Sequence, residues 1–264
     1  MNCRRLAFIV LLATAPVARG QSLGIAPGQI DAAFKPGVAF ELELNIANYG
    51  SSDVELHTEV RDFWYNATTN EKTFAVAGSS PRSAANWIQF VPRTFHVAPN
   101  AVQKIKAIVT PPGDAKGGYY AALFVESTPL ATNKRSKDGR AVFTNLRLGC
   151  LVLLRTQDDD AYDVAISNLQ ISPPTATHEL TATFDVDNRS NTHIFALPRL
   201  AILDSKRNLV AKARAEEKRY LPAQKATMTV NWSGSLPSGD YIAVVTLIYA
   251  GDHVETKEVS FRVP

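Results

Sequence analysis

The sequence predicts an all-β chain: two immunoglobulin-like Greek-key β-sandwiches in tandem behind a signal peptide. Three observations lead there: apolar and polar residues alternate with a period of two, turn residues recur at short intervals, and the strand pattern of the first half returns in the second. The 264 residues are 45% hydrophobic and 20% charged, with 14 Gly and 15 Pro, which allows a packed core and excludes collagen-like, coiled-coil and wholly disordered chains.

The opening residues read as an export signal. Arg4 and Arg5 precede the uncharged apolar run 6–15, and Ala18-Arg19-Gly20 offers a small-x-small cleavage pattern, so residues 1–20 are expected to be removed before Gln21. The apolar run is shorter than the roughly 20 residues a membrane span needs, and no span is expected in the mature chain. Loss of Arg4, Arg5 and Arg19 takes Lys+Arg from 28 to 25 against 25 Asp+Glu, so the mature chain is neutral and gives no reason to expect nucleic acid. Cys3 leaves with the signal. Cys150 then stands alone and, among leucines and valines, reads as a small buried hydrophobe.

Two domains are expected, residues 21–156 and 157–264, joined near Asp158-Asp159-Asp160. Phe40, Leu42, Leu44 and Ile46 alternate with Glu41, Glu43 and Asn45 and run into the turn Asn48-Tyr49-Gly50. Leu180, Ala182, Phe184 and Val186 alternate with threonines and aspartates and run into Asn188-Arg189-Ser190. Each copy then closes alike: a proline, at 99 or 222, introduces a strand, a Gly-containing turn follows, and a Tyr-led strand begins at Tyr119 or Tyr241. Further strands are predicted over 25–34, 54–62, 87–91, 164–171, 197–203 and 254–263. The first copy carries a polar insertion over about 65–86 and a polar loop over 127–139.

A catalytic centre is not legible, and no enzyme activity is expected. His57, His96, His178, His193 and His253 lack a nucleophile motif or a second ligand at metal spacing. His178-Glu179 opens a zinc-protease pattern but meets Ala182 where the second His belongs. Asp158-Asp159-Asp160 has no EF-hand spacing and reads as a solvated hinge, and the basic run 134–140 as a solvated loop. Asn66, Asn188 and Asn231 match the glycosylation pattern. No metal or cofactor is expected.

One segment stands apart. Over residues 141–155 the even positions Val142, Thr144, Leu146, Leu148, Cys150, Val152 and Leu154 are nearly all apolar, while Asn145, Arg147 and Gly149 interrupt the odd face. A single strand of that length would reach roughly 50 Å, more than twice an ordinary strand. Two readings stand: the whole row is buried in its own sandwich, or its exposed part adds to the open edge of another sheet, with backbone hydrogen bonds giving affinity and side-chain pockets giving register.

These segments together resemble the PapD-like periplasmic chaperones of fimbrial assembly. The resemblance rests on the opening strand ending Phe34-Lys35-Pro36-Gly37, the alternating strand to Asn48, Trp87-Ile88-Gln89-Phe90-Val91-Pro92, the strand ending at Val125, a basic loop, and the long strand leading into a second domain. It implies capture of an exported β-rich pilus or fimbrial subunit by donor-strand complementation in the periplasm, with an outer-membrane usher as a further partner. The donor row falls on Val142, Thr144, Leu146 and Leu148, with Cys150 at its end. The family anchors the subunit's terminal carboxylate with two basic cleft residues. Those positions hold Gln29 and Leu151 here, and Arg147 lies on the odd face of Leu151 as a substitute. The expected function is therefore a chaperone that caps fibre subunits. The alternative is an exported two-domain structural or adhesive protein, secreted or at the cell surface, without chaperone activity.

Overall fold

Alternation along the chain puts its apolar side chains on one face of each strand, and in the computed structural model those faces close on one another in pairs of sheets. The structure describes residues 22–66, 69–135, 141–158 and 160–264, of which 130–135 and 141–144 are described for the backbone alone. The predicted signal segment therefore lies outside the described residues, as do Asp159, most of the basic run 134–140 and the side chains of Val142 and Thr144.

The first sandwich is built from β1 (Leu23–Ala26), β2 (Gln29–Phe34), β3 (Phe40–Asn48), β4 (Val54–Tyr65), β5 (Lys72–Ala75), β6 (Ile88–Val91), β7 (Thr94–Val97), β8 (Val102–Val109), β9 (Gly118–Ser127), β10 (Leu130–Arg135), β11 (Ala141–Thr144) and β12 (Arg147–Thr156). One sheet has the order β1-β3-β8-β6. The other runs β2-β12-β9-β4-β5, with β7 also on β4, and β10 and β11 pair only with each other. Leu44, Ile46, Leu56, Ile105, Leu123, Val152 and Leu154 meet between the two large sheets, none more than 1% exposed.

The second sandwich contains β13 (Val164–Ser172), β14 (Leu180–Asn188), β15 (Ile194–Asp204), β16 (Leu209–Arg214), β17 (Lys218–Tyr220), β18 (Lys225–Trp232), β19 (Gly239–Tyr249) and β20 (His253–Val263). A three-stranded sheet β13-β14-β18 faces β16-β15-β19-β20, with β17 on β15. Phe184, Leu180, Ile202, Val230 and Leu247 fill the space between them.

The predicted repeat has a hydrogen-bonded basis. Asn48 Nδ2 donates to the carbonyls of Ser52 (2.8 Å) and Val97 (2.9 Å), while its Oδ1 accepts from Gly50 N (2.9 Å). Asn188 repeats this with Thr192 O (3.1 Å), Tyr220 O (3.0 Å) and Ser190 N (3.0 Å). Both side chains are buried, at 1% and 0% exposure, so each asparagine ties the end of its strand to the turn after it and to a distant strand. Asn188 is thereby removed as a glycosylation acceptor.

Three expectations need correction. The predicted strand 25–34 is two: the chain breaks at Pro27-Gly28, where proline has no N–H for a ladder, and β1 and β2 join opposite sheets. The polar loop 127–139 contains β10, and the single long strand 141–155 is divided, because β11 turns away to pair with β10 while β12 stays in the sheet. Buried Ser127 holds the break: its N donates to Leu146 O (2.9 Å) and its Oγ accepts from Leu146 N (3.0 Å). The aspartate-rich joint is also less solvated than expected. Asp160 Oδ2 accepts from Arg155 Nη1 (2.8 Å) and from the Tyr162 hydroxyl (3.0 Å), and its side chain is only 16% exposed.

Candidate functional site: the open edge of β12 and the cleft beside it

β12 runs antiparallel to β9 over its whole length, from Arg147 opposite Glu126 to Arg155 opposite Gly118. On its other edge β2 lies parallel, but only from Leu151, opposite Gln29, to Thr156, opposite Phe34. The last bond on that edge is Leu151 N to Gly28 O, at 3.1 Å. Residues 147–150 therefore have no strand partner on that edge among the described residues. Backbone groups alternate in direction along a strand, so the N–H and C=O groups of Arg147 and Gly149 point, like Leu151 N, toward the open side.

The apolar row is divided in the same place. Cys150, Val152 and Leu154 are wholly buried in the first sandwich, whereas Leu146 and Leu148 are partly exposed at its rim. Cys150 thus belongs to its own core: burial pushes its thiol up to about 12, far from a reactive thiolate. On the odd face Gly149 makes room for an aromatic ring, since a Cβ there would lie 2.9 Å from Phe124 Cε1. Phe124 packs edge-on against Phe74 of β5 and carries the Arg147 guanidinium 4.0 Å above its ring.

The three cleft positions fare differently. Gln29 and Leu151 face each other in the β2–β12 register and stand at the start of β2. Leu151 packs on an outer apolar cluster with Phe63, Tyr120, Leu153 and, from the second sandwich, Leu221. Arg147 does not join them. Its Nη2 bonds Glu59 Oε2 at 2.5 Å and its Nε lies 3.8 Å from Glu126 Oε2, so its charge is already matched at the other end of the open edge.

The cation that does reach Gln29 comes from the second sandwich. Arg219, on β17, donates from Nη1 to Gln29 Oε1 and from Nη2 to the Tyr65 hydroxyl at 2.7 Å. These groups line a cleft of about 480 Å³ with Asn70, Glu217, Lys218 and Gln224, and Gln224 Nε2 donates to Asn70 Oδ1 across it at 2.6 Å. Sequence reasoning missed Arg219: a lone arginine in a short strand carries no motif, and its place beside residue 29 is set by the meeting of two sandwiches.

A second contact joins the sandwiches nearby. His193, 2% exposed, places Nε2 3.2 Å from Asp31 Oδ2 and Nδ1 3.5 Å from the Tyr120 hydroxyl. Burial pushes the Asp31 carboxyl up, but the His193 hydrogen bond and the charges of His193, Arg155 and Arg219 outweigh it and hold Asp31 below its ordinary value. Burial raises the Tyr120 hydroxyl, which stays protonated.

No protein-family model and no curated protein matches this chain. Solved structures do match in shape. The class 5 fimbriae chaperone CfaA is 15% identical, covering 92% of this chain and 100% of its own, with a TM-score of 0.50. A chain of the chaperone–tip adhesin complex of CFA/I fimbriae biogenesis is 11% identical, covering 91% of this chain and 98% of its own, also at 0.50. This chain has the two-sandwich fold of PapD-like fimbrial chaperones. Among the described residues no helix is long and apolar enough to cross a membrane.

Proposed function

We propose that this protein is a periplasmic chaperone that caps an exported, strand-deficient fibre subunit by donor-strand complementation, using the outer end of β12. One observation carries the reading: β2 begins only at Gln29, so residues 147–150, beside the partly exposed Leu146 and Leu148, have no strand partner on that edge among the described residues. An open edge with apolar side chains is a hazard in a free protein and an asset in one that completes another sheet. Val142 and Thr144 extend the donor row in this reading. The fold shared with fimbrial chaperones supports it, and the partner proposed for this chain is a subunit of the pilus or tip-adhesin kind, since one of those neighbours comes from a chaperone–tip adhesin complex. Export by the signal at 1–20 and handover to an outer-membrane usher belong to the same proposal.

In mechanism, the subunit's incomplete sheet meets Arg147 and Gly149 through backbone N–H and C=O groups, and Leu146 and Leu148 enter the groove left by its missing strand. The inner half of β12 stays fixed between β9 and β2, so the donor end is presented on a rigid element and little ordering entropy is lost on binding. The test is co-expression with an exported β-rich subunit and purification of the complex. A one-to-one complex that is lost in Leu146→Glu/Leu148→Glu is the expected result, and a subunit that folds equally well without this protein refutes the role.

A further inference from the structure

β16 is the outermost strand of the larger sheet in the second sandwich: it pairs with β15 on one side and has no strand partner on the other among the described residues. Ala215 N donates to Pro198 O on β15 at 3.3 Å. Backbone groups alternate in direction along a strand, so those of Lys212 and Arg214 point away from β15, to the open side. Ala211, Ala213 and Ala215 face inward and pack, partly buried, on the second core, while Lys212 and Arg214 stand exposed on the outer face. That face carries one sign of charge here. Arg214 lies directly opposite Arg199 of β15, and Lys212 lies opposite Ala201 in the next row. None of the three cations has an ion pair or side-chain hydrogen bond among the described residues. The neighbouring acids are engaged or apart: Glu258 bonds Arg207 at 2.9 Å, Asp204 closes its own turn with Asn208, and Glu216 and Glu217 pair with none of the three. Cations on an edge strand guard it against stray pairing, and Lys212 and Arg214 alone would do that. Arg199 lies one strand inside the edge, where it guards nothing, and like charges directly opposite each other cost stability.

We propose that the open edge of β16 is a second partner-binding surface, which takes an extended peptide segment whose alternate residues are acidic. The segment adds as a strand: its backbone meets the N–H and C=O groups of Lys212 and Arg214, and its acidic side chains fall on the outer face opposite those two cations. Its intervening apolar side chains fall on the inner side, beside Ala211, Ala213 and Ala215, where the chain itself supplies only methyl groups to the rim of the core. Two carboxylates so placed relieve the repulsion between Arg214 and Arg199 and match a charge that the free chain leaves unmatched. An anionic lipid surface would use the same cations but not the backbone edge, whereas an acidic strand uses both. The surface belongs to the second sandwich and the donor end of β12 to the first, so this proposal stands or falls apart from the donor-strand reading.

The test uses the chain from Gln21 onward, labelled with nitrogen-15, and two probes of one pattern: acetyl-Thr-Val-Glu-Val-Glu-Val-Thr-amide and the same peptide with lysine in place of glutamate. NMR titration gives the affinities, and hydrogen exchange is read at the Lys212 and Arg214 amides. The glutamate peptide is expected to saturate, to slow exchange at both amides, and to bind at least about tenfold more tightly than the lysine peptide. Lys212→Thr/Arg214→Thr, at two exposed strand positions, is expected to bring the two peptides to equal affinity with the circular dichroism spectrum unchanged. Should that variant fail to fold, Arg199→Thr leaves the edge itself intact and is expected to lower the preference for glutamate about threefold. Equal affinities for the unaltered chain, binding of neither peptide, or binding of the glutamate peptide without slowed exchange at 212 and 214 overturns the proposal. Protection confined to Arg147 and Gly149 also overturns it, since the peptide then sits on β12. Phosphatidylglycerol vesicles form the last arm: vesicle binding lost in the double variant, with no peptide protection at 212 and 214, gives the cluster to lipid and overturns the peptide assignment.

Discussion

Replacing Leu146 and Leu148 together with glutamate separates the proposed donor role of β12 from its role in the core. Both side chains are partly exposed at the rim of the first sandwich, so a glutamate at either position reaches water. The expected loss of stability is about 1 kcal/mol per position, or a melting temperature lower by roughly 4–8 °C in all for a chain of this size. In a complex the balance differs. Enclosing a leucine contributes about 1.5–3 kcal/mol, of which the free protein already realises a part, leaving about 1–2 kcal/mol at each position for the client. A glutamate forfeits that gain and brings a charge into the client's groove, so the pair should weaken binding by at least about 3 kcal/mol, more than a hundredfold. Val152→Glu is the control: it puts a carboxylate where exposure is 0%, and should unfold the first sandwich outright. Thermal unfolding followed by circular dichroism, together with titration of a strand-deficient subunit, reads both quantities. If the double variant melts as Val152→Glu does, the outer leucines are core and the reasoning fails.

Other substitutions probe the supports of the site. Gly149→Val drives a side chain into the Phe124 ring and should cost about 1–3 kcal/mol while displacing Arg147 from that ring, visible as a change in near-ultraviolet circular dichroism. Asn188→Ala leaves Thr192 O and Tyr220 O without their amide donor and should cost about 2 kcal/mol, and Asn48→Ala should match it in the first sandwich; denaturant unfolding measures both. The Cys150 thiol, buried and raised to about 12, should resist a disulfide-exchange reagent in the folded chain and react at once in denaturant. Asp31 is held below its ordinary 3.8, so it binds its proton more weakly folded than unfolded; its contribution is complete at neutral pH and fades as acid carries the solution below that value. Asp31→Asn should therefore flatten the acid limb of a stability-against-pH curve and lower the melting temperature at pH 7 by a few degrees.

Much of this fold was legible because its cores are made by alternation. The rows at Leu42–Leu44–Ile46 and Leu180–Ala182–Phe184 announced two buried faces, and Asn48 and Asn188 announced equivalent turns before their shared hydrogen bonds were known. The register sets Leu151 opposite Gln29, an adjacency of two strands about 120 positions apart that alternation does not reveal. What alternation cannot report is which neighbour a strand chooses. Residues 141–155 keep the same period on both sides of Leu146, although β11 pairs with β10 and β12 with β9. The strands β5 and β7 are only four residues long, too short for alternation to single them out, and Arg219 gains its meaning only from the approach of the second sandwich.

The apolar row is divided along its length: Cys150, Val152 and Leu154 are enclosed in the first sandwich, and Leu146 and Leu148 are partly exposed where β2 no longer pairs with β12. The division follows from the break at Pro27-Gly28. Were 25–34 the single strand its sequence suggests, continuing along β12 past Gln29, its earlier residues would cover the edge at 147–150 and the sheet would present no vacancy there. Instead the chain crosses to the opposite sheet, where Leu23–Ala26 pairs with β3, and the edge of β12 is left open where Leu148 emerges from the core. The same crossing sets β2 to begin at Gln29, which brings the end of the vacancy to the Arg219 guanidinium. The backbone vacancy and the place of Gln29 at its end are therefore two consequences of one change of sheet, whereas the apolar row belongs to β12 itself and the cleft cation to the second sandwich. Lengthening β2 toward its N-terminus would be expected to remove the client site without touching a single donor side chain.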